Sequence, residues 1–201
     1  MSRHIVGRIE RGVTRLDVDA LQRIGIALNR FLEIRFGRDA LEQPADAGHL
    51  AMQELVLRLG RANGFTGEFE VPTRPAEPWR SIDVVLARPL RRLMILNECW
   101  NTFGDIGAAA RASLRKAAEL EALATERWGE DAQVRVVWIV RATARNRALL
   151  ARYPEIFASR FPGSSRAWVR ALTEGGEPPA EPGLVWCDVA AARLLEWRRR
   201  P

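Results

Sequence analysis

Two acidic residues interrupt apolar segments of the sequence and are the first candidates for chemistry. Asp83 lies in the middle of an apolar, β-branched segment, and Glu98 ends the next apolar segment fifteen residues later. If these segments are antiparallel strands joined by the connection 88–92, the two carboxylates lie close together and repel each other unless a cation lies between them. Mg²⁺ suits such a site, because it takes oxygen ligands and retains water that can attack a phosphate. Glu70, near the end of the preceding segment, is a third candidate ligand.

Lys116 is the only lysine among the 31 basic residues of the chain. An amine is compact and its pKa can fall when it is buried, so a single lysine in an arginine-rich chain can have a specific task. Two alternatives stay open. The lone lysine can reflect a drift of composition towards arginine, and each of the two carboxylates can pair with an arginine at a strand edge.

The periodicity of apolar residues predicts the elements that position these side chains. Between residues 48 and 142 it predicts, in order, a helix, three strands, a long helix and a strand buried on both faces. The predicted ranges are 49–63, 65–71, 81–87, 93–98, 106–128 and 134–140. Asp83 then lies on the second strand, Glu98 ends the third, and Lys116 lies on the long helix that follows.

Further elements are predicted on both sides of this core. They are helices over 2–12 and 18–28 with a short strand over 30–36, and later helices over 145–152, 155–160 and 166–172 with a strand over 184–187. A polar connection that contains Pro44 predicts a boundary. The chain then consists of an N-terminal module over 1–47, a central domain over 48–142 and a helical C-terminal extension over 143–201.

The composition is that of an ordinary globular protein. Of 201 residues, 47% are hydrophobic and 28% are charged, which is enough apolar mass for a core. No apolar run approaches the roughly 20 residues that a membrane helix needs. The two cysteines have neither metal nor disulfide spacing. We therefore expect a cytoplasmic protein without membrane contact.

The net charge of +6 is mild, and its excess lies at the C-terminal end, where residues 143–201 carry ten basic and six acidic groups. Arginines that follow the last core strand are candidates for contact with a DNA backbone, which gives salt-dependent affinity without sequence preference. They are Arg141, Arg145, Arg147, Arg152 and Arg160. A solvated surface explains the same excess, and both interpretations stay open.

The N-terminal sequence carries a resemblance to a known family. The segment Ser2–Gly12 reads SRHIVGRIERG and the segment Leu21–Asn29 reads LQRIGIALN. Together they resemble the recognition helix and the following helix of the Xre-type, phage-repressor-like helix-turn-helix family. The resemblance implies a helix that enters the major groove of double-stranded DNA. The residues that would contact DNA are Arg3, His4, Gly7, Arg8 and Arg11, the first three at base-facing positions and the last two on phosphates.

The family places two helices before its recognition helix, and this chain begins where they would already have ended. The resemblance therefore implies a truncated module that binds weakly or as part of a homodimer, or a longer product in which Met1 is internal. As an alternative, the two helices only pack on the next domain.

The central domain carries a second resemblance. The predicted order of elements, Asp83 and the segment Glu98-Cys99-Trp100 resemble the PD-(D/E)XK nuclease-like fold of restriction and repair enzymes. The resemblance implies an α/β (α+β) fold with an α-β-β-β-α-β core over 48–142. It also implies Asp83 and Glu98 as catalytic and metal-binding residues, with Glu70 as a further ligand of Mg²⁺. Xre modules joined to such domains form a recognisable bacterial arrangement.

The signature lysine of that family is missing from its usual place. Two residues after Glu98 the chain has Trp100, whose indole cannot polarise water or offset transition-state charge. Some members carry the lysine on the following helix, which makes Lys116 the third catalytic candidate. We expect a DNA-binding regulator or defence-type protein with a nuclease-like domain. Two alternatives stay open: an active magnesium-dependent DNA endonuclease, and a noncatalytic protein in which Trp100 and Asn101 line a pocket for a partner.

Overall fold

A computed structural model describes residues 18–29, 46–74 and 81–198. The chain divides into two compact units, Met1–Pro44 and Ala45–Pro201. In the first unit the described element is helix α1 (Val18–Ala27), and the chain adopts a positive φ of 51° at Asn29 shortly after its end. This helix agrees with the predicted range.

Other predictions for the N-terminal module lie outside the described residues. They are the helix over 2–12, the strand over 30–36 and the DNA-contact candidates Arg3, His4, Gly7, Arg8 and Arg11.

The second unit begins with the helix-strand order that the sequence predicts and continues with further helices and strands. Its described helices are α2 (Ala47–Ala62), α3 (Ile106–Trp128), α4 (Ala144–Arg152), α5 (Pro154–Arg160) and α6 (Ser165–Glu174). Its described strands are β1 (Thr66–Pro72), β2 (Ser81–Arg88), β3 (Leu93–Trp100), β4 (Gln133–Arg141), β5 (Gly183–Cys187) and β6 (Leu194–Glu196).

The six strands form one mixed sheet in the order β1-β2-β3-β4-β5-β6. The first three strands are antiparallel neighbours, β4 and β5 run parallel to β3, and β6 returns antiparallel. The mixed α/β class predicted from the sequence is thereby confirmed. Residues 143–201 supply β5 and β6 to this sheet, so they are part of the same fold rather than a helical extension packed on it.

Helices cover both faces of the sheet because its central strands are apolar on both sides. One face packs under α2 and α6 through a cluster that includes Met52 and Trp168. The other face packs under α3, α4 and α5 through clusters that include Leu120 and Phe157. Three tryptophans of the C-terminal part, Trp168, Trp186 and Trp197, are buried and belong to these clusters.

Helix α3 is the element that brings Lys116 to the sheet. Its first turn is capped by Asp105, whose carboxylate accepts a 2.9 Å hydrogen bond from the N–H of Ala108, and it ends at Gly129, where φ is 85°. Among the described residues, no helix is both long and apolar enough to cross a membrane.

Candidate metal and catalytic site

Strands β2 and β3 separate at Asp83, and this separation opens the candidate site. Their main-chain pairing ends at Val84 and Asn97 and does not reach Asp83. The backbone N–H of Cys99 instead donates a 2.6 Å hydrogen bond to Oδ2 of Asp83. The carboxylate therefore lies in the gap between the two strands, next to the end of β3 that carries Glu98.

Strand β1 has an irregular backbone directly opposite Asp83. The register of β1 and β2 places Glu70 across from Asp83, and Glu70 has a φ of 49°. A residue with a side chain adopts this left-handed conformation at a cost of about 1–2 kcal/mol. The alternation of β2 also reverses here, because Ile82 packs under α3 whereas Val84 packs under α2. Strain of this kind concentrates at functional sites.

Glu98 and Lys116 form a buried ion pair on the α3 side of the gap. Glu98 is only 2% exposed, and Nζ of Lys116 donates to both of its carboxylate oxygens at 2.9 Å. Lys116 reaches Glu98 because it lies next to Ser113 and Leu120, two buried residues that seat α3 on the sheet. The pKa of Glu98 is raised from 4.5 to about 7, first by burial and then by the Asp83 carboxylate, against the lowering effect of Lys116.

The pKa of Asp83 is also raised, mainly because its carboxyl group is buried. The hydrogen bond from the N–H of Cys99 and the charges of Lys116 and His49 lower it in part. Both carboxyl groups therefore occupy surroundings in which a negative charge is costly. Such surroundings are typical of metal-binding and catalytic groups.

A second group of side chains lies on the α2 side of Asp83. Nε2 of His49 is 3.7 Å from Oδ1 of Asp83, and one ligand atom from each of His49, Glu70 and Asp83 lies within 4.8 Å of the other two. Gln53 ties this group together, since its Nε2 donates to Oε1 of Glu70 at 2.6 Å and lies 3.1 Å from Nε2 of His49. Ser81 donates to the other oxygen of Glu70.

The α2-side group has the donor set of a divalent cation site. In the part of the chain that the structure describes, no lysine or arginine forms an ion pair with Glu70 or Asp83. Gln53 is 2% exposed, and its Oε1 has no hydrogen-bond partner among the described residues. Two carboxylates with an imidazole suit Mn²⁺, Fe²⁺ or Zn²⁺, whereas Mg²⁺ prefers oxygen ligands alone.

The structure therefore brings two of the three predicted metal ligands, Asp83 and Glu70, into one group and adds His49 to them. Glu98 lies outside that group, with both oxygens bonded to Lys116. The sequence contained a signal for the missed residues: His49 is one of two histidines in the chain and stands four residues before Gln53, on the same face of a helix.

Trp100 and Asn101, the residues that suggested a pocket for a partner, are used inside the protein. The indole of Trp100 packs on Phe103 and Trp138, with ring centroids 5.4 and 4.9 Å apart. Oδ1 of Asn101 accepts a 3.0 Å hydrogen bond from Nη1 of Arg141. These contacts make both residues part of the packing at the ends of β3 and β4.

The five arginines that follow the last predicted core strand divide into two sets. Arg141, Arg147 and Arg160 donate hydrogen bonds to main-chain carbonyl groups, those of Val189, Ala142 and Ala110 respectively. Arg145 and Arg152 are exposed and have no hydrogen bond or ion pair within the described residues. The first set is structural, whereas in the second set Arg152 lies over the ring of Tyr153, 5.6 Å from its centroid.

In chemical terms the site consists of two halves that share Asp83. One half offers the buried carboxyl group of Glu98, with a pKa of about 7, and the amine of Lys116, the only lysine of the chain. The other half offers a donor set for a cation. No protein-family model, curated protein or solved structure matches the chain, so a function has to be inferred from this geometry.

Proposed function

We propose that the chain is a DNA-binding protein of regulatory or defence type whose unit 45–201 hydrolyses phosphodiester bonds with a divalent cation. One observation carries this proposal. The only lysine of the chain donates to both oxygens of Glu98, while Asp83 on the neighbouring strand faces His49 and Glu70. Carboxyl groups, an amine and an imidazole therefore meet at one gap in the sheet. These are the groups that metal-dependent hydrolysis of a phosphodiester uses.

Each side chain has a role in this reaction. A cation held by His49, Glu70 and Asp83 would polarise a phosphate oxygen and favour deprotonation of the attacking water. Glu98, with a pKa of about 7, is suited to accept that proton near neutral pH. Lys116 places a positive charge beside Glu98, and this charge would stabilise the negative charge that develops on the phosphate. The water oxygen bonds to phosphorus, the bond to the leaving oxygen breaks, and this oxygen takes a proton from solvent.

The resemblance to PD-(D/E)XK nucleases supports the proposal at the level of element order. An acid on the second strand, an acid at the end of the third and a lysine supplied by the following helix agree with the members that lack lysine on the strand. The favoured cation differs from the Mg²⁺ expected from the sequence, because the imidazole of His49 favours Mn²⁺ over Mg²⁺.

Cleavage of plasmid DNA tests the proposal. The full chain is incubated with supercoiled plasmid and either Mn²⁺ or Mg²⁺, beside the variants Asp83→Ala and Glu98→Ala. We expect nicking by the wild type and loss of nicking in both variants. Glu126→Gln, which changes an exposed acid on α3, is the matched control and should cleave as the wild type does. Nicking that survives both Asp83→Ala and Glu98→Ala rules out the proposed site.

A noncatalytic DNA-binding protein is the second candidate. It is favoured by the closed geometry of the ion pair, in which both oxygens of Glu98 are already bonded to Lys116. The same plasmid experiment separates the two candidates, because a noncatalytic protein binds the plasmid without nicking it in either metal.

The N-terminal module is proposed to contact double-stranded DNA through the helix that resembles an Xre recognition helix. A gel-shift titration with salt compares the wild type with Arg3→Ala and Arg8→Ala. We expect weaker binding by both variants, with a smaller salt dependence for Arg8→Ala because this residue is assigned to a phosphate. Unchanged affinity in both variants removes this role from the helix.

A further inference from the structure

An open cavity of about 720 Å³ lies between the beginning of α3 and helix α4. Its lining includes the apolar side chains of Phe103 and Leu149 and the guanidinium groups of Arg145 and Arg152. These two arginines are seven residues apart on α4 and therefore lie on the same face of that helix. Guanidinium groups at an open cavity are suited to a phosphate-bearing ligand.

A third guanidinium group, that of Arg111 on α3, lies beside the cavity without forming part of its lining. Nη1 of Arg111 lies 3.2 Å from the position that a Cβ on Gly107 would occupy, and Gly107 lines the cavity. Within the described residues, Arg111, Arg145 and Arg152 form no ion pair. The acid of the cavity lining, Asp105, already caps α3 through the N–H of Ala108. The carboxylate of Asp105 offsets part of the positive charge, and Arg145 and Arg152 together outnumber this one acid of the lining.

The position of these arginines distinguishes them from the structural set. Arg141, Arg147 and Arg160 are held by carbonyl groups of the protein, and burial lowers the pKa of Arg160. Arg145 and Arg152 instead extend from α4 into solvent beside the cavity. The like charges of Arg145 and Arg152 repel each other, and a polyanion relieves this repulsion.

The cavity lies at the same edge of the sheet as the candidate site. Its residues Phe103 and Asp105 belong to the connection that leaves β3 just after Glu98. Helix α4 is anchored at that edge by Asn146, whose Nδ2 donates to the carbonyl oxygens of Asn101 and Arg141 at the ends of β3 and β4. A chain of phosphates bound along this edge can contact both the cavity and the gap that holds Asp83.

We propose that Arg145 and Arg152 form a binding surface for the phosphodiester backbone of nucleic acid, outside the metal and catalytic site. The surface rests on the proposed function, since it specifies how that function holds its substrate. It contacts phosphates and therefore contributes affinity without preference for base sequence.

Binding without cleavage tests the surface. Fluorescence anisotropy of a labelled 24-base-pair duplex is measured with the full chain in EDTA at several salt concentrations. For Arg145→Ala/Arg152→Ala we expect about tenfold weaker binding at moderate salt, and a slope of log K against log salt that is smaller by about 2. Arg145→Lys/Arg152→Lys keeps both charges and should retain most of the affinity.

The matched control removes the same charge from the other face of the sheet. Arg58 on α2 and Arg166 on α6 are exposed and form no ion pair within the described residues, so Arg58→Ala/Arg166→Ala has the same net charge as the test variant. The control should bind with nearly the affinity and slope of the wild type. Equal losses in the two double variants, or no loss in either, would overturn the proposal. Competition by AMP at micromolar concentration would also overturn it, because it would identify a nucleotide pocket.

The binding and cleavage experiments distinguish a failure of the arginine surface from a failure of the proposed function. If the plasmid is not nicked but Arg145→Ala/Arg152→Ala binds duplex more weakly than its control, the surface stands and the catalytic proposal fails. If the plasmid is nicked with an unchanged KM in Arg145→Ala/Arg152→Ala, the catalytic proposal stands and the surface fails. The thermal unfolding temperature of each variant is measured alongside, and because the substituted side chains are exposed we expect it to be unchanged.

Discussion

The two halves of the candidate site hold their carboxylates in different ways, and Glu98 is buried whereas Glu70 is exposed. On the α3 side, Glu98 is neutralised by Lys116, which occupies both carboxylate oxygens. On the α2 side, Glu70 and Asp83 are held by the neutral groups of Gln53, Ser81 and the Cys99 backbone. The first half is complete without a ligand. The second half keeps a negative charge that its own hydrogen bonds do not neutralise, and this difference favours the second half as the place where the proposed cation would bind.

The candidate metal ligands differ between the sequence motif and the structure. A motif assigns metal binding by residue type and spacing, so Glu98 and Asp83 look equivalent. In the folded chain the lysine of α3 pairs with Glu98, and a histidine from α2 approaches Asp83. The set of candidate ligands therefore depends on which helix packs on which face of the sheet.

Removal of the lysine gives the largest expected change. In Lys116→Met the buried carboxylate of Glu98 loses its partner, which costs about 3–5 kcal/mol in comparable buried pairs. We expect a loss of about 3 kcal/mol in the free energy of unfolding at pH 8, measured by urea denaturation with tryptophan fluorescence. Lys116→Met/Glu98→Gln should recover most of this loss. If the double variant is no more stable than Lys116→Met, the two residues are not coupled as described.

The pH dependence of stability should show the same carboxyl group in the protein without metal. The folded state holds the proton of Glu98 more tightly than the unfolded chain, because its pKa is about 7 rather than 4.5. Stability from this group is therefore full below pH 4.5 and is lost as pH rises through 7. The loss is on the order of 3 kcal/mol, and the raised pKa of Asp83 adds a loss of the same sign.

Glu98→Gln isolates the contribution of Glu98. The difference in unfolding free energy between Glu98→Gln and the wild type, both in EDTA, should increase in favour of the variant from pH 4.5 to pH 7.5. A difference that is constant over this range contradicts the raised pKa.

Metal binding separates the two halves directly. His49→Ala removes a ligand atom from the α2 side, so we expect the affinity for Mn²⁺ in isothermal titration calorimetry to fall at least about tenfold. Lys116→Met removes positive charge near the cation and leaves the ligands in place, so its affinity should equal or exceed that of the wild type. The interpretation is wrong if Lys116→Met weakens Mn²⁺ binding more than His49→Ala does.

Glu70 should give the smallest change in stability. Glu70→Gly relieves a positive φ at a gain of about 1 kcal/mol, and it loses hydrogen bonds with Gln53 and Ser81 that together contribute about the same amount. The urea midpoint should therefore move little, although Mn²⁺ affinity falls. Glu70→Ala keeps the strain and should be less stable than Glu70→Gly by about 1 kcal/mol. Equal midpoints for the two variants would show that the backbone at this position is not strained.

Much of the fold can be predicted from local patterns in the sequence. The long helix over 106–128 is identical in the prediction and the structure, because it begins at a capping Asp105 and ends at Gly129. The alternating and apolar segments identify the first five strands to within about two residues, the usual uncertainty of such boundaries. Strand β6 has only three residues, which are too few to produce a pattern. It forms because its main chain pairs with β5.

The candidate site can be predicted only in part. Asp83 and Glu98 are recognisable because each is an acid in an apolar strand, and a short connection makes the strands neighbours. The part played by His49 and Gln53 depends on how far α2 is rotated about its own axis when it packs on the sheet. The positive φ of Glu70 has no signal in the residue type, since glutamate rarely adopts it.

By itself, the sequence determined the helices and strands, the neighbouring acids and the single lysine, because periodicity and residue type act over a few positions of the chain. Only the tertiary structure decided that Lys116 bonds to Glu98, that His49 approaches Asp83 and that Arg145 and Arg152 lie at one cavity. These contacts depend on how each helix packs on its face of the sheet, and their geometry is set by the burial of apolar surface between layers. Local sequence cannot specify that burial, because each layer finds its position only against the others.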